Sequence, residues 1–224
     1  MKGEGATTLE AVGEFEGGAS WIAYPGEQMQ RASHVLVDGE DLWLVDPVDA
    51  DDLDQLLAEL GTVAGIVLLL DRHKRDAADI ARRHDVAVHL PKQLAAEGAK
   101  LDAQFETFEG RLADTGYRTI EVLDRFFWHE VALFDPDSGT LVVPEALGTA
   151  PYFCTASEDL GVHPALRMFP PRGALGSLDP ERILVGHGAP VLEDASEALR
   201  TALSNSRSGA PGLYARTVRA ALPV

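Results

Sequence analysis

"IVLLLDRHKRDAADIARRHDVAVHLP", residues 66–91, is the stretch that decides the fold. It continues a short aliphatic run, AGIVLLL, of the kind found in a strand buried on both faces. Six polar residues, Asp71, Arg72, His73, Lys74, Arg75 and Asp76, then crowd the end of that strand. DAADIARRH reads as a helix and VAVHLP as a second strand. Strand, loop, helix and strand in this order imply a sheet with packed helices. Loops at the carboxyl ends of strands are where such proteins keep their chemistry, so the charged loop is the first place to look for a site.

Upstream, SWIAY and HVLVDGEDLWLVD read as strands, with DGED as the turn of a hairpin. DDLDQLLAEL follows as a helix, with Leu53, Leu56, Leu57 and Leu60 on one face and acidic residues at its start, where the helix dipole favours them. Downstream, PKQLAAEGA reads as a short helix, TGYRTIEVL as a strand, and VALFDPDSGTLVVPEAL as a hairpin turning at Asp135–Gly139. Residues 148–180 hold five of the thirteen prolines, which predicts loop and short helix there. RILVGHGAPV reads as a strand ending in a histidine between two glycines. Leu192, Ala195, Leu199 and Ala202 mark a helix that SNSRSGAPG is expected to break before a last helix, LYARTVRAAL. The expected organisation is one domain over 1–224, with 205–224 as a C-terminal helical extension.

Composition narrows the function. One cysteine, Cys154, provides neither a disulfide framework nor a thiolate cluster, and reads as a small buried residue. The formal charge of −17 leaves no basic stripe for nucleic acid and disfavours an anionic membrane. No segment approaches the length of a membrane span, and the expected location is the cytoplasm. Nineteen Lys and Arg against thirty-six Asp and Glu, with few lysines among the basic residues, resembles the composition of salt-adapted proteins, in which excess carboxylate keeps the surface hydrated. The partner expected is a small-molecule ligand or substrate.

The order of features, with "HVLVDGEDLWLVDP", "HEVALFDPDSGTLVVPEALG" and "ILVGHGAP" as its most specific pieces, resembles the metallo-β-lactamase superfamily over roughly residues 20–200. The resemblance implies an α+β fold, a four-layer αβ/βα sandwich, and a metal site built on a His-x-His-x-Asp-His loop. Those four positions are occupied here by Asp71, His73, Arg75 and Asp76; the later bridging Asp falls at Glu145 and the last His at His187. Asp, His and Glu can all ligate a cation, so Asp71, His73, Asp76 and His187 are the candidate ligands, with Glu130 or Glu145 as ligand or general base. Arg75 cannot ligate, which implies at most one divalent metal, zinc, iron or manganese, and is compatible with none. Its guanidinium is expected to pair with Asp76, Glu145 or Glu130 in place of the second cation.

Three functions stay open on this reading. One is a single-metal hydrolase of an ester, thioester or amide. Another is a metal-free relative in which Arg75, His73 and His187 bind a small anion. The third is a structural or interaction protein whose former site holds ion pairs. The plain alternative for residues 71–76 is a solvated turn, since surface pairs stabilise by only about 0–1 kcal/mol. His129 beside Trp128 reads as a packed neighbour, and His34, His84, His89 and His163 as surface or core histidines.

Overall fold

The apolar runs become strands of two main sheets. A computed structural model describes residues 9–221, with side chains to residue 214. The first sheet has seven strands in chain order: β1 (Glu10–Phe15), β2 (Gly18–Ile22), β3 (Ala32–Asp38), β4 (Asp41–Val45), β5 (Thr62–Val67), β6 (Val88–Pro91) and β7 (Phe105–Phe108). Neighbours from β1 to β4 run antiparallel, and β4 to β7 run parallel. Crossovers between the parallel strands carry α1 (Leu53–Leu60), α2 (Ala77–His84) and α3 (Ala95–Gly98). The second sheet contains β8 (Arg118–Arg125), β9 (Trp128–Asp135), β10 (Thr140–Val143) and β13 (Arg182–Val185), ordered β13-β10-β9-β8. Between its last two members come a two-stranded ribbon, β11 (Leu147–Gly148) and β12 (Gly161–Val162), and the short α4 (Arg172–Leu175). The chain closes with α5 (Ala195–Ala221).

Alternation along the strands decides which face packs where. Val35, Leu42, Leu44, Ile66 and Leu68 pack with Leu53, Leu57, Ile80 and Ala81 of α1 and α2. Their neighbours Leu36, Trp43, Val45, Val67 and Leu69 instead meet Leu133, Val142 and Leu184 of the other sheet. The outer face of that sheet, with Ala132, Leu141, Val143 and Ile183, packs against Leu199, Ala202 and Leu203 of α5. Large sheets with few helices are as expected of the α+β class.

Three elements differ from the sequence reading, one of them the exposed edge strand β7, for which no strand was expected. β1 was not foreseen, because EAVGEF is only partly buried along an edge and carries little apolar signal. The helix break expected at SNSRSGAPG does not occur: α5 runs through Gly209 and contains Pro211. Tertiary contacts override the local breakers there. Ser206, Ala210 and Leu213 continue the buried face of Leu199 and Leu203, and Arg172 donates to the carbonyls of Leu203 and Ser204.

His34 proves to be a core histidine that ties the sheets together. The Ser20 hydroxyl donates to its Nδ1 at 2.8 Å, and its Nε2–H donates to the Val185 carbonyl at 3.0 Å. Burial lowers its pKa to about 4, outweighing the opposing pull of the Val185 bond. The unfolded chain therefore takes up this proton near pH 6.5 while the folded protein refuses it down to about pH 4. The corresponding stability is fully present above pH 6.5 and falls by on the order of 1.4 kcal/mol per pH unit as acid approaches pH 4. Urea unfolding of His34→Gln should show a pH profile shallower by that slope in this interval; an unchanged slope would refute the assignment.

Candidate metal centre

Parallel pairing sets up the site. β4 and β5 run side by side in one sheet and β10 and β13 in the other, so four carboxyl ends meet at one edge of the molecule. Asp46 follows β4, the loop with His73 follows β5, Glu145 follows β10 and His187 follows β13. Among the described residues, His73, Glu145 and His187 form the group of three whose ligand atoms all lie within 4.8 Å of one another. All three are buried.

The imidazoles are held from behind. His73 Nδ1 lies 3.0 Å from Asp46 Oδ2, and His187 Nδ1 lies 2.9 Å from the carbonyl of Met29. A carbonyl or carboxylate oxygen only accepts, so each Nδ1 donates backward and each ring turns its Nε2 toward Glu145. His73 Nε2 is 2.9 Å from Glu145 Oε2, and His187 Nε2 is 3.7 Å from the same oxygen. At that distance His187 Nε2 has no hydrogen-bond partner, although it is buried. An orphaned lone pair facing a carboxylate lacks a proton or a cation between them. Burial pushes the Glu145 carboxyl up, but the His187 and His73 imidazoles beside it outweigh burial and hold the group well below the usual carboxylate range. Burial lowers the pKa of His187, against the opposing pull of Glu145.

The glycines around His187 permit this approach. A Cβ on Gly186 would lie 2.1 Å from the Pro144 carbonyl oxygen, and Gly188 has φ +92° with the Thr149 and Ala150 backbone pressed against it. The Phe153 ring stacks on His187 with centroids 5.3 Å apart.

Arg75 has a different role from the one its position suggested. It pairs with none of Asp76, Glu145 and Glu130. Its guanidinium donates to the carbonyls of Ala32, Asp46 (2.6 Å) and Gly186 (2.9 Å), behind His73 and away from the Nε2 side. Burial lowers its pKa to about 10, with Asp46 opposing, so it remains charged at neutral pH. The reason is topological: three strand ends bring their carbonyls together at this point, and a planar fork reaches all of them.

Three other sequence candidates also lie outside the cluster. Asp71 is turned to the hairpin, where its Oδ2 accepts from His129 N at 3.0 Å and its Oδ1 from Arg72 at 3.1 Å. Asp76 precedes α2, and its Oδ2 accepts from Asp49 N at 3.1 Å. Glu130 is fully buried beneath Glu145: Oε1 accepts from Glu145 N (2.9 Å) and Ala146 N (2.7 Å), and Oε2 from Trp128 Nε1 (2.7 Å). His129 turns to Asp124, at 2.6 Å.

Two neighbours were missed. Asp46 stood in plain view in "LVDP" at a strand end, and its φ of 45° is a strained value for a residue with a side chain. Nothing local marked His163, in the proline-rich loop, whose Nε2 lies 3.5 Å from Glu145 Oε1. At the mouth, partly exposed Arg72 lies over the Trp128 ring, 4.3 Å from its centroid, with Nε 3.6 Å from Glu145 Oε2.

This arrangement of strands and helices recurs in solved structures. DIM-1 metallo-β-lactamase exposed to ceftazidime is 12% identical with a TM-score of 0.63, covering 91% of this chain and 100% of that one. The Flv1 flavodiiron core of Synechocystis sp. PCC6803 is 12% identical with a TM-score of 0.65, covering 91% and 62%. A metallo-β-lactamase from Hirschia baltica is 11% identical with a TM-score of 0.56, covering 88% and 97%. No protein-family model and no curated protein matches the chain. The chain has the metallo-β-lactamase fold.

Proposed function

We propose that this protein is a hydrolase-like metalloprotein with a single divalent metal held by His73 Nε2, His187 Nε2 and the Glu145 carboxylate. Its substrate would be a small molecule with an ester, thioester or amide bond. The observation that carries the reading is the convergence of two back-anchored imidazoles on one carboxylate oxygen, with His187 Nε2 left unpartnered. Two imidazoles and a carboxylate suit zinc, iron or manganese. A metal in such a site supplies Lewis acidity and an acidified water.

The chain's own residues do the rest. Asp46 and the Met29 carbonyl hold both imidazoles in the tautomer that leaves Nε2 free, as carboxylates and carbonyls do behind ligating histidines. Arg72, propped on Trp128, offers an anionic part of a substrate a cation beside the centre. The metal-free alternative needed Arg75 to bind an anion, and that guanidinium is engaged by three carbonyls. Helices long and apolar enough to cross a membrane are absent among the described residues.

Protein purified in high salt without chelator should bind close to one equivalent of zinc, iron or manganese by elemental analysis. His73→Ala combined with His187→Ala should bind none. Absence of metal from the unaltered protein after incubation with all three ions would rule the reading out. Hydrolysis is tested separately, with 4-nitrophenyl acetate and an acyl thioester as probes.

A further inference from the structure

His163 follows β12, and its backbone N–H donates to the carbonyl of Ala146, the residue after Glu145, at 3.0 Å. The ring is therefore docked on the segment that carries the candidate ligand. Its Nδ1 accepts from Ala165 N at 3.1 Å, which leaves the proton of the neutral ring on Nε2. That nitrogen faces Glu145 Oε1 at 3.5 Å, whereas the imidazoles of His73 and His187 address Oε2. The rings of Trp128, Tyr152 and Phe153 meet His163 edge-on, with centroids 4.8, 5.7 and 5.4 Å away. Tyr214 further holds the turn by donating to the Pro164 carbonyl at 2.8 Å.

We infer that His163 is a positioning residue: its Nε2–H engages Glu145 Oε1, so that the carboxylate offers Oε2 alone to a metal shared with His73 and His187. The inference rests on the single-metal reading. A ligating carboxylate free to rotate can present either oxygen or both; one whose outer oxygen is held by a donor has a single orientation. Loss of such a supporting hydrogen bond costs about 10–100-fold in metal affinity at comparable sites.

The test is zinc affinity of the full chain, measured by competition with a chromophoric chelator. His163→Phe keeps an aromatic ring and removes the donor, and should weaken zinc by about 10–100-fold. His163→Gln retains an N–H at similar reach and should recover most of that loss. Unaltered zinc affinity in His163→Phe would overturn the inference, as would equal weakening in both variants, which would indicate packing alone. If the protein binds no zinc, the same comparison is made with iron and manganese, and failure to bind any of the three would overturn the single-metal reading, and this inference with it. The tautomer is read without any variant, from the long-range 1H–15N spectrum of the histidines in metal-free protein. A proton on His163 Nε2 is expected; one on Nδ1 would overturn the inference even if the phenylalanine variant fails to fold.

Discussion

Replacing Arg75 with methionine is expected to destabilise the protein by about 3–5 kcal/mol in urea unfolding, the scale associated with removing one partner of a buried charged network. Methionine fills much of the same volume, so the loss reports hydrogen bonds and charge more than a cavity. The guanidinium joins Ala32 at the start of β3, Asp46 after β4 and Gly186 after β13, and so crosses from one sheet to the other. Removal leaves three carbonyls and the Asp46 carboxylate without their cation. Arg75 also holds a φ of 42°, an unfavourable conformation for a residue with a side chain that the surrounding contacts must maintain. Lysine keeps the charge but cannot span three acceptors, and should restore only part of the loss. A methionine variant within about 1 kcal/mol of the unaltered protein would show that the carbonyls find other partners.

Glu130→Ala should be comparably severe, again about 3–5 kcal/mol, because it orphans three buried donors and opens a cavity. Two of those donors are the backbone N–H groups of Glu145 and Ala146, so the variant should also loosen the backbone beneath the candidate ligand and weaken zinc binding. Burial pushes the Glu130 carboxyl up to about 7, with the charge of Glu145 adding to it and the three N–H donors opposing. Since the folded pKa lies above the ordinary 4.5, the stability linked to this proton is present below pH 4.5 and lost as pH rises through 7. That slope is opposite in sign to the one set by His34. Glu130→Gln should remove it and leave a profile that rises more steeply toward neutral pH. An unchanged profile would mean that Glu130 stays ionised in the folded protein across this range.

How much of the site could be read from the chain alone differs residue by residue. His73 and His187 were legible, because a histidine at the end of a buried strand and a histidine between two glycines are local patterns. Glu145 was legible through its place after "LVVP" in the hairpin that resembles the family. Asp71 and Asp76 have the right chemistry and the right loop, yet their carboxylates are taken up by His129 N and Asp49 N. Sequence spacing cannot foresee that capture, because the donors come from residues 58 and 27 positions away.

By itself the sequence determined the two hairpins, the buried strand β5 and the helices that follow it, since apolar periodicity is a local property that survives any later packing. It also determined that Arg75 is no metal ligand, because guanidinium chemistry does not depend on context. Only the tertiary structure decided where that guanidinium goes, that Asp46 and the Met29 carbonyl stand behind the two imidazoles, and that α5 continues past Gly209 and Pro211. Each of these depends on contacts between distant segments, where burial outweighs local preference and the direction of a hydrogen bond is set by which strand ends meet.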